Sequence, residues 1–139
     1  MEKWDYHESF VLPTHRESLD IAEKIISDLK DKYNINNAKY YNILIAVTEA
    51  INNAINHGNQ LDKNKQIHFE VFSNEEVIKI IIIDEGRGFN PNALEDCTKE
   101  ENLLKENGRG IYIMKSLADE FSLTPTTNGT KFQMTFKIN

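Results

Sequence analysis

The chain has 139 residues, 40% hydrophobic and 27% charged, a balance that excludes wholesale disorder and supports one domain over residues 1–139 with its own core. A formal net charge of -6 supplies no basic field for nucleic acid or an anionic membrane. The single cysteine, Cys97, cannot close an internal disulfide, four scattered histidines show no zinc-ligand spacing, and no apolar signal segment or bilayer-length run is present, so a soluble, cytoplasmic protein is expected.

Glu8 to Leu12 reads as a short strand stopped by Pro13. Thr14-His15-Arg16-Glu17 has the form of a capping box. After it Leu19, Ala22, Ile26, Leu29 and Tyr33 recur at spacings of three and four, one stripe of an amphipathic helix, until Asn34 to Asn37 breaks the period. A second helix is predicted from Ala38 to His57, with Leu44, Val47, Ile51, Ala54 and Ile55 facing the core and Gly58 as its C-terminal stop.

Gln66 to Phe72 alternates, and Val77 to Ile83 reads as a more deeply buried strand, the two forming a hairpin that ends at Asp84. Gly86 to Asn107 has no sustained period and is predicted to be a loop, and loops of such length are usually functional. A third helix is expected over Arg109 to Glu120, with Ile111, Met114, Leu117 and Ala118 inward. A strand near Phe121 to Thr124, a turn at Asn128-Gly129 and a last strand alternating Phe132, Met134, Phe136 and Ile138 follow. Helices on one face of a mixed, mostly antiparallel sheet make an α+β two-layer sandwich, without parallel βαβ units.

Glu49 and Asn53 lie four residues apart, and so on one face of the second helix. Asn53 offers a neutral oxygen suited to a Mg²⁺ that keeps its waters, and Glu49 a carboxylate able to take a proton from a nucleophile. Taken alone, the pair reads as a solvated helical face. Asp84 ends a buried strand, and Gly86 and Gly88 let a flat ligand approach the backbone, so a purine amino group is a natural partner; a plain turn explains the same residues. Gly108 and Gly110 precede a helix whose first amides suit phosphate oxygens, although a helix-entry turn would look the same.

Order separates these readings: Glu-x-x-x-Asn, Asp-x-Gly-x-Gly, a long loop, Gly-x-Gly before a helix, and Gly129-Thr130 before the last strand. The series, over about Thr14 to Ile138, resembles the GHKL or Bergerat-fold ATPase superfamily. The resemblance implies ATP and Mg²⁺ as cofactors, with Glu49 as general base and Asn53 as Mg²⁺ ligand. It further implies that Asp84 takes the adenine amino group, Gly86 and Gly88 shape the adenine pocket, Gly108 and Gly110 form the phosphate loop, and Thr130 supports the adenine. Arg109, of a residue type that pairs well with phosphate oxygens, is expected to help neutralise the triphosphate. The stretch from Asn90 to Asn107 would be the ATP lid.

Topoisomerases, Hsp90 and MutL need transducer domains that a chain this short does not hold. Histidine kinases usually carry Lys or Arg three residues after the Asn, where this chain has Asn56. The run Glu49 to Gly58, ending Asn56-His57-Gly58, is closest to the bacterial anti-sigma factor serine kinases. That likeness implies phosphorylation of an anti-anti-sigma STAS-domain partner, sequestration of a sigma factor, and homodimerisation. Two rivals stay open: a nucleotide-gated binding module without phosphotransfer, and the ATP-binding domain of a histidine-kinase-like system. His57 reads as a helix-end residue, Arg87 as exposed, His15 and His68 as helix-start and solvent-facing strand residues, and Met114 and Met134 as core.

Overall fold

The computed structural model describes residues 3–86, 109–126 and 128–139. In chain order these form β1 (Tyr6–Pro13), α1 (Glu17–Tyr33), α2 (Asn37–Asn53), a π-helical turn (Ala54–Gly58), β2 (Gln66–Ser73), β3 (Val77–Asp84), α3 (Arg109–Leu117), β4 (Glu120–Thr126) and β5 (Gly129–Lys137). The strands make one sheet in the order β1-β2-β3-β5-β4, and every neighbouring pair is antiparallel. Helices cover one face, the expected two-layer sandwich. Residues 87–108, with Arg87, Gly88, Cys97, Gly108 and the whole predicted lid, lie outside the described residues.

Strand alternation builds the core. Ile67, Phe69 and Val71 of β2, Ile78, Ile80 and Ile82 of β3, and Phe132, Met134 and Phe136 of β5 are buried beneath the helices. Each such side chain contributes roughly 1.5–3 kcal/mol relative to exposure. Pro125, which donates no backbone hydrogen bond, sits in β4 at the sheet edge.

Three local expectations are corrected. Thr14 does not cap α1. Its hydroxyl is buried and donates to the Lys65 carbonyl at 2.6 Å, while the first turn of the helix is closed by the Glu17 amide donating to His15 Nδ1 at 3.1 Å and by Ser18 Oγ donating to the Pro13 carbonyl. The buried stripe of α2 runs through Ile43, Ala46, Val47, Ala50 and Ile51, with Leu44 only half-buried, because α2 is packed between α1 and α3 as well as on the sheet. Finally, α3 stops at Leu117, because the next residues switch partners: the Asp119 amide donates to the Thr135 carbonyl, and the Asp119 carboxylate accepts from the Lys137 amide and from Lys39 Nζ. The Lys137 amide foremost, and then Lys39, hold the Asp119 carboxyl below the usual range.

Asn34 ends α1 in the left-handed region at φ 52°, and the side chain of Asn36 caps α2 by accepting from the Lys39 amide at 2.8 Å. The asparagines that break the first helix thus start the second.

Candidate functional site

The α-helical part of α2 ends at Asn53, not at His57. One π turn follows, closed by the Asn59 amide donating to the Ala54 carbonyl at 2.7 Å, and the Leu61 amide donates to the Ile55 carbonyl at 2.8 Å. Such single turns frequently mark functional positions. The helical run ends at Gly58, the expected stop, without a left-handed backbone there; the left-handed residues that follow are Gln60 at φ 51° and Leu61 at φ 63°. Gly58 is needed for space: a β-carbon there would lie 2.1 Å from Asp84 Oδ2.

Asp84 closes β3 and is 3% exposed. Its Oδ1 accepts from the Gly86 amide and the Thr130 amide, both at 3.0 Å. A β-carbon on Gly129 would come within 2.0 Å of the Asp84 carbonyl, and one on Gly86 within 2.3 Å of the Gly58 carbonyl. The carboxylate therefore sits in a cradle of backbone that side chains would fill. Burial pushes its pKa up, against the two amide donors, which act to lower it. A buried, rigid acceptor of this kind suits a donor on a flat, uncharged ring.

At the other end of the π turn, Glu49 and Asn53 share one face of α2 and meet the start of α3. A β-carbon on Gly110 would lie 3.1 Å from both Asn53 Nδ2 and Glu49 Oε2, so the absence of a side chain at Gly110 lets α3 approach the pair. Asn53 is buried, and its Nδ2 has no hydrogen-bond partner among the described residues. Native interiors rarely leave such an atom unpaired, and a half-turn of the amide presents Oδ1 in its place. A neutral amide oxygen beside a carboxylate fits Mg²⁺ with phosphate oxygens. Arg109 begins α3 and is exposed. The structure thus groups Glu49, Asn53 and Gly110 in one place and Asp84, Gly86 and Thr130 in another, with the π turn between them.

Several participants escaped sequence reasoning. Gly58 and Gly129 read as a stop and a turn, yet both form walls of the Asp84 cradle. Asn59, in an expected loop, is wholly buried. His68 is not simply solvent-facing, because its Nε2 lies 2.8 Å from Glu85 Oε2, while Glu85 Oε1 accepts from the Gln66 amide at 2.9 Å. The Gln66 amide and then His68 hold the Glu85 carboxyl below its ordinary value. His57 is exposed at the helix end, as expected.

Comparison with known proteins places this geometry. The chain is 27% identical over 129 residues to the serine-protein kinase RsbW of Oceanobacillus iheyensis, covering 88% of this chain and 81% of that one. It is 35% identical over 88 residues to RsbW of Staphylococcus aureus, spanning 57% of this chain and 54% of that one. Its fold is similar to the structure of the RsbU and RsbW domains of Rv1364c from Mycobacterium tuberculosis, with a TM-score of 0.66 at 13% identity, covering 96% of this chain and 32% of that one. It is also similar to the histidine kinase domain of the blue-light activated histidine kinase EL346 from Erythrobacter litoralis, with a TM-score of 0.53 at 20% identity, covering 91% of this chain and 61% of that one. Residues 12–136 match the histidine kinase-like ATPase domain, and the chain belongs to that family, with the GHKL fold and homology to RsbW-type anti-sigma factor kinases.

Proposed function

We propose that residues 1–139 act as one ATP-binding kinase domain that phosphorylates a serine or threonine of an anti-anti-sigma STAS-domain partner and sequesters a sigma factor in the cytoplasm. The observation that carries this reading is the buried side-chain amide of Asn53, its Nδ2 unpaired among the described residues, beside Glu49 under Gly110, at the far side of the π turn from the Asp84 cradle. RsbW of two bacteria, a serine-protein kinase by name, supports the choice of acceptor.

Asp84 would accept the adenine amino group, with Gly86 and Gly88 giving the ring access and Thr130 bracing the carboxylate through its amide. Gly108, Arg109 and Gly110 would receive the phosphates at the start of α3. Bound through Asn53, Mg²⁺ would offset the negative charge of the phosphate oxygens. Glu49 takes the proton of the partner's hydroxyl as that oxygen bonds to the γ-phosphorus. The bond from the γ-phosphorus to the bridging oxygen breaks, and ADP leaves with its electron pair.

The test is incubation of the purified chain with γ-labelled ATP, Mg²⁺ and cell extract. Acid-stable label on a partner is expected. Alkali-stable, acid-labile label would instead indicate a histidine acceptor, and loss of both transfer and ATP binding would sink the reading. Glu49→Gln is expected to lower transfer by roughly 10²–10⁴-fold with nucleotide still bound. Unchanged transfer would remove Glu49 from the mechanism, and binding without any transfer would leave a nucleotide-gated binding module.

A further inference from the structure

Asn59 is 0% exposed, and each of its polar side-chain atoms is engaged. Oδ1 accepts from the Glu85 amide at 2.7 Å, and Nδ2 donates to Thr14 Oγ1 at 2.8 Å and to the Gln66 carbonyl at 3.1 Å. Its own amide closes the π turn on the Ala54 carbonyl. One side chain thereby joins the end of α2, which carries Glu49 and Asn53, to the turn after β3, which carries Asp84. The Glu85 amide belongs to the peptide between Asp84 and Glu85, so the grip on it fixes that peptide plane. The next amide, of Gly86, then falls 3.0 Å from Asp84 Oδ1.

We propose that Asn59 is a positioning residue for purine selectivity, holding the Asp84 turn rigid so that its carboxylate accepts only from a base that presents an amino group. The inference rests on the reading of Asp84 as the adenine acceptor. A rigid buried acceptor rejects a base with an oxo group at that place, because two acceptors would face each other unpaired. If the turn is free to rotate, the carboxylate can turn aside and that rejection weakens. Thr14 holds the opposite end of Asn59 and does not touch the Glu85 amide, so it separates positioning from general support.

The experiment measures ADP and GDP binding, with Mg²⁺, to the unmodified chain and to Asn59→Ala, Asn59→Asp and Thr14→Val, alongside their thermal midpoints. Asn59→Ala is expected to weaken ADP binding about tenfold with GDP little changed, collapsing the ratio by a similar factor. Asn59→Asp keeps an oxygen for the Glu85 amide and should retain the ratio while losing stability. Thr14→Val should also lose stability and retain the ratio. An Asn59→Ala protein with unaltered selectivity, or a Thr14→Val protein equally unselective, overturns the proposal.

Amide hydrogen exchange in the unmodified chain covers the case in which Asn59→Ala does not fold. ADP is expected to slow the Glu85 amide together with that of Thr130, and slowing at Thr130 alone would refute the role. An unmodified chain that binds neither nucleotide overturns the adenine reading itself, and this proposal with it.

Discussion

Gly58 and Asp84, 26 positions apart in the chain, are packed so closely that a β-carbon on the glycine would stand 2.1 Å from the aspartate's Oδ2 and 2.3 Å from its carboxyl carbon. No side chain can occupy that place without moving either the π turn or the carboxylate. Gly58→Ala is therefore expected to cost about 1–3 kcal/mol of stability, the range for overpacking, and to weaken adenine nucleotide binding further than that loss alone explains. Denaturant melts with and without ADP check both parts, and an alanine variant with native stability and affinity would show that the contact is not tight.

Asp84 and Glu85 are adjacent carboxylates with opposite effects on stability. Burial raises the pKa of Asp84, so the charged form is disfavoured in the folded state, and its contribution is lost as pH rises through the folded value. Glu85 is depressed below its ordinary 4.5 by the Gln66 amide and His68, so it contributes stability above that value, which is lost as pH falls through the folded one. In the nucleotide-free protein Asp84→Asn should raise the thermal midpoint at neutral pH, with the gain shrinking on acidification, while nucleotide affinity falls by about 1.5–3 kcal/mol. Glu85→Gln should lower the midpoint near neutrality and match the unmodified chain well below pH 4.5. Melting curves from pH 3 to pH 8, roughly the range over which carboxylates and histidine titrate, separate the two; same-signed effects would contradict the assigned causes.

Gly110→Ala places a methyl group 3.1 Å from Glu49 Oε2 and from Asn53 Nδ2. That is a tight contact with side chains able to give by a few tenths of an ångström. Alanine also favours a helix over glycine by up to about 1 kcal/mol. Stability is therefore expected to change by less than about 1 kcal/mol, while phosphotransfer drops at least tenfold through the displaced pair. Single-turnover assays beside chemical denaturation would decide, and full transfer by this variant would mean that the gap over Glu49 and Asn53 is not used.

Leu61 combines a left-handed φ of 63° with 64% exposure, giving up little burial for its strain. Asparagine tolerates that conformation better than leucine. Leu61→Asn is expected to stabilise the chain by about 0.5–1 kcal/mol. A lower thermal midpoint would show that the leucine makes a contact that outweighs the backbone strain.

The helical stripe of α1, the pairing of Glu49 with Asn53, the alternation of β2 and β5 and the placement of Asp84 at a strand end were all legible in the amino-acid sequence. They depend on local periods of 3.6 and 2 residues, which the chain carries within itself. The order of the polar clusters likewise indicated the family, which the match over residues 12–136 shows.

Tertiary packing alone decided the rest. The stripe of α2 includes Ile43 where Leu44 was expected, because two flanking helices and the sheet together select the buried face. Gly58 and Gly129 carry no local sign that they adjoin Asp84, since a missing side chain reports only that something needs the space, not what. Asn59 looked like a loop polar residue and Thr14 like a helix cap; both are buried because the ends of β1, β2 and β3 converge on the π turn and their backbone groups need partners there. The sequence by itself determined the family and the order of its polar clusters, and the three-dimensional packing decided which atoms hold those clusters in place.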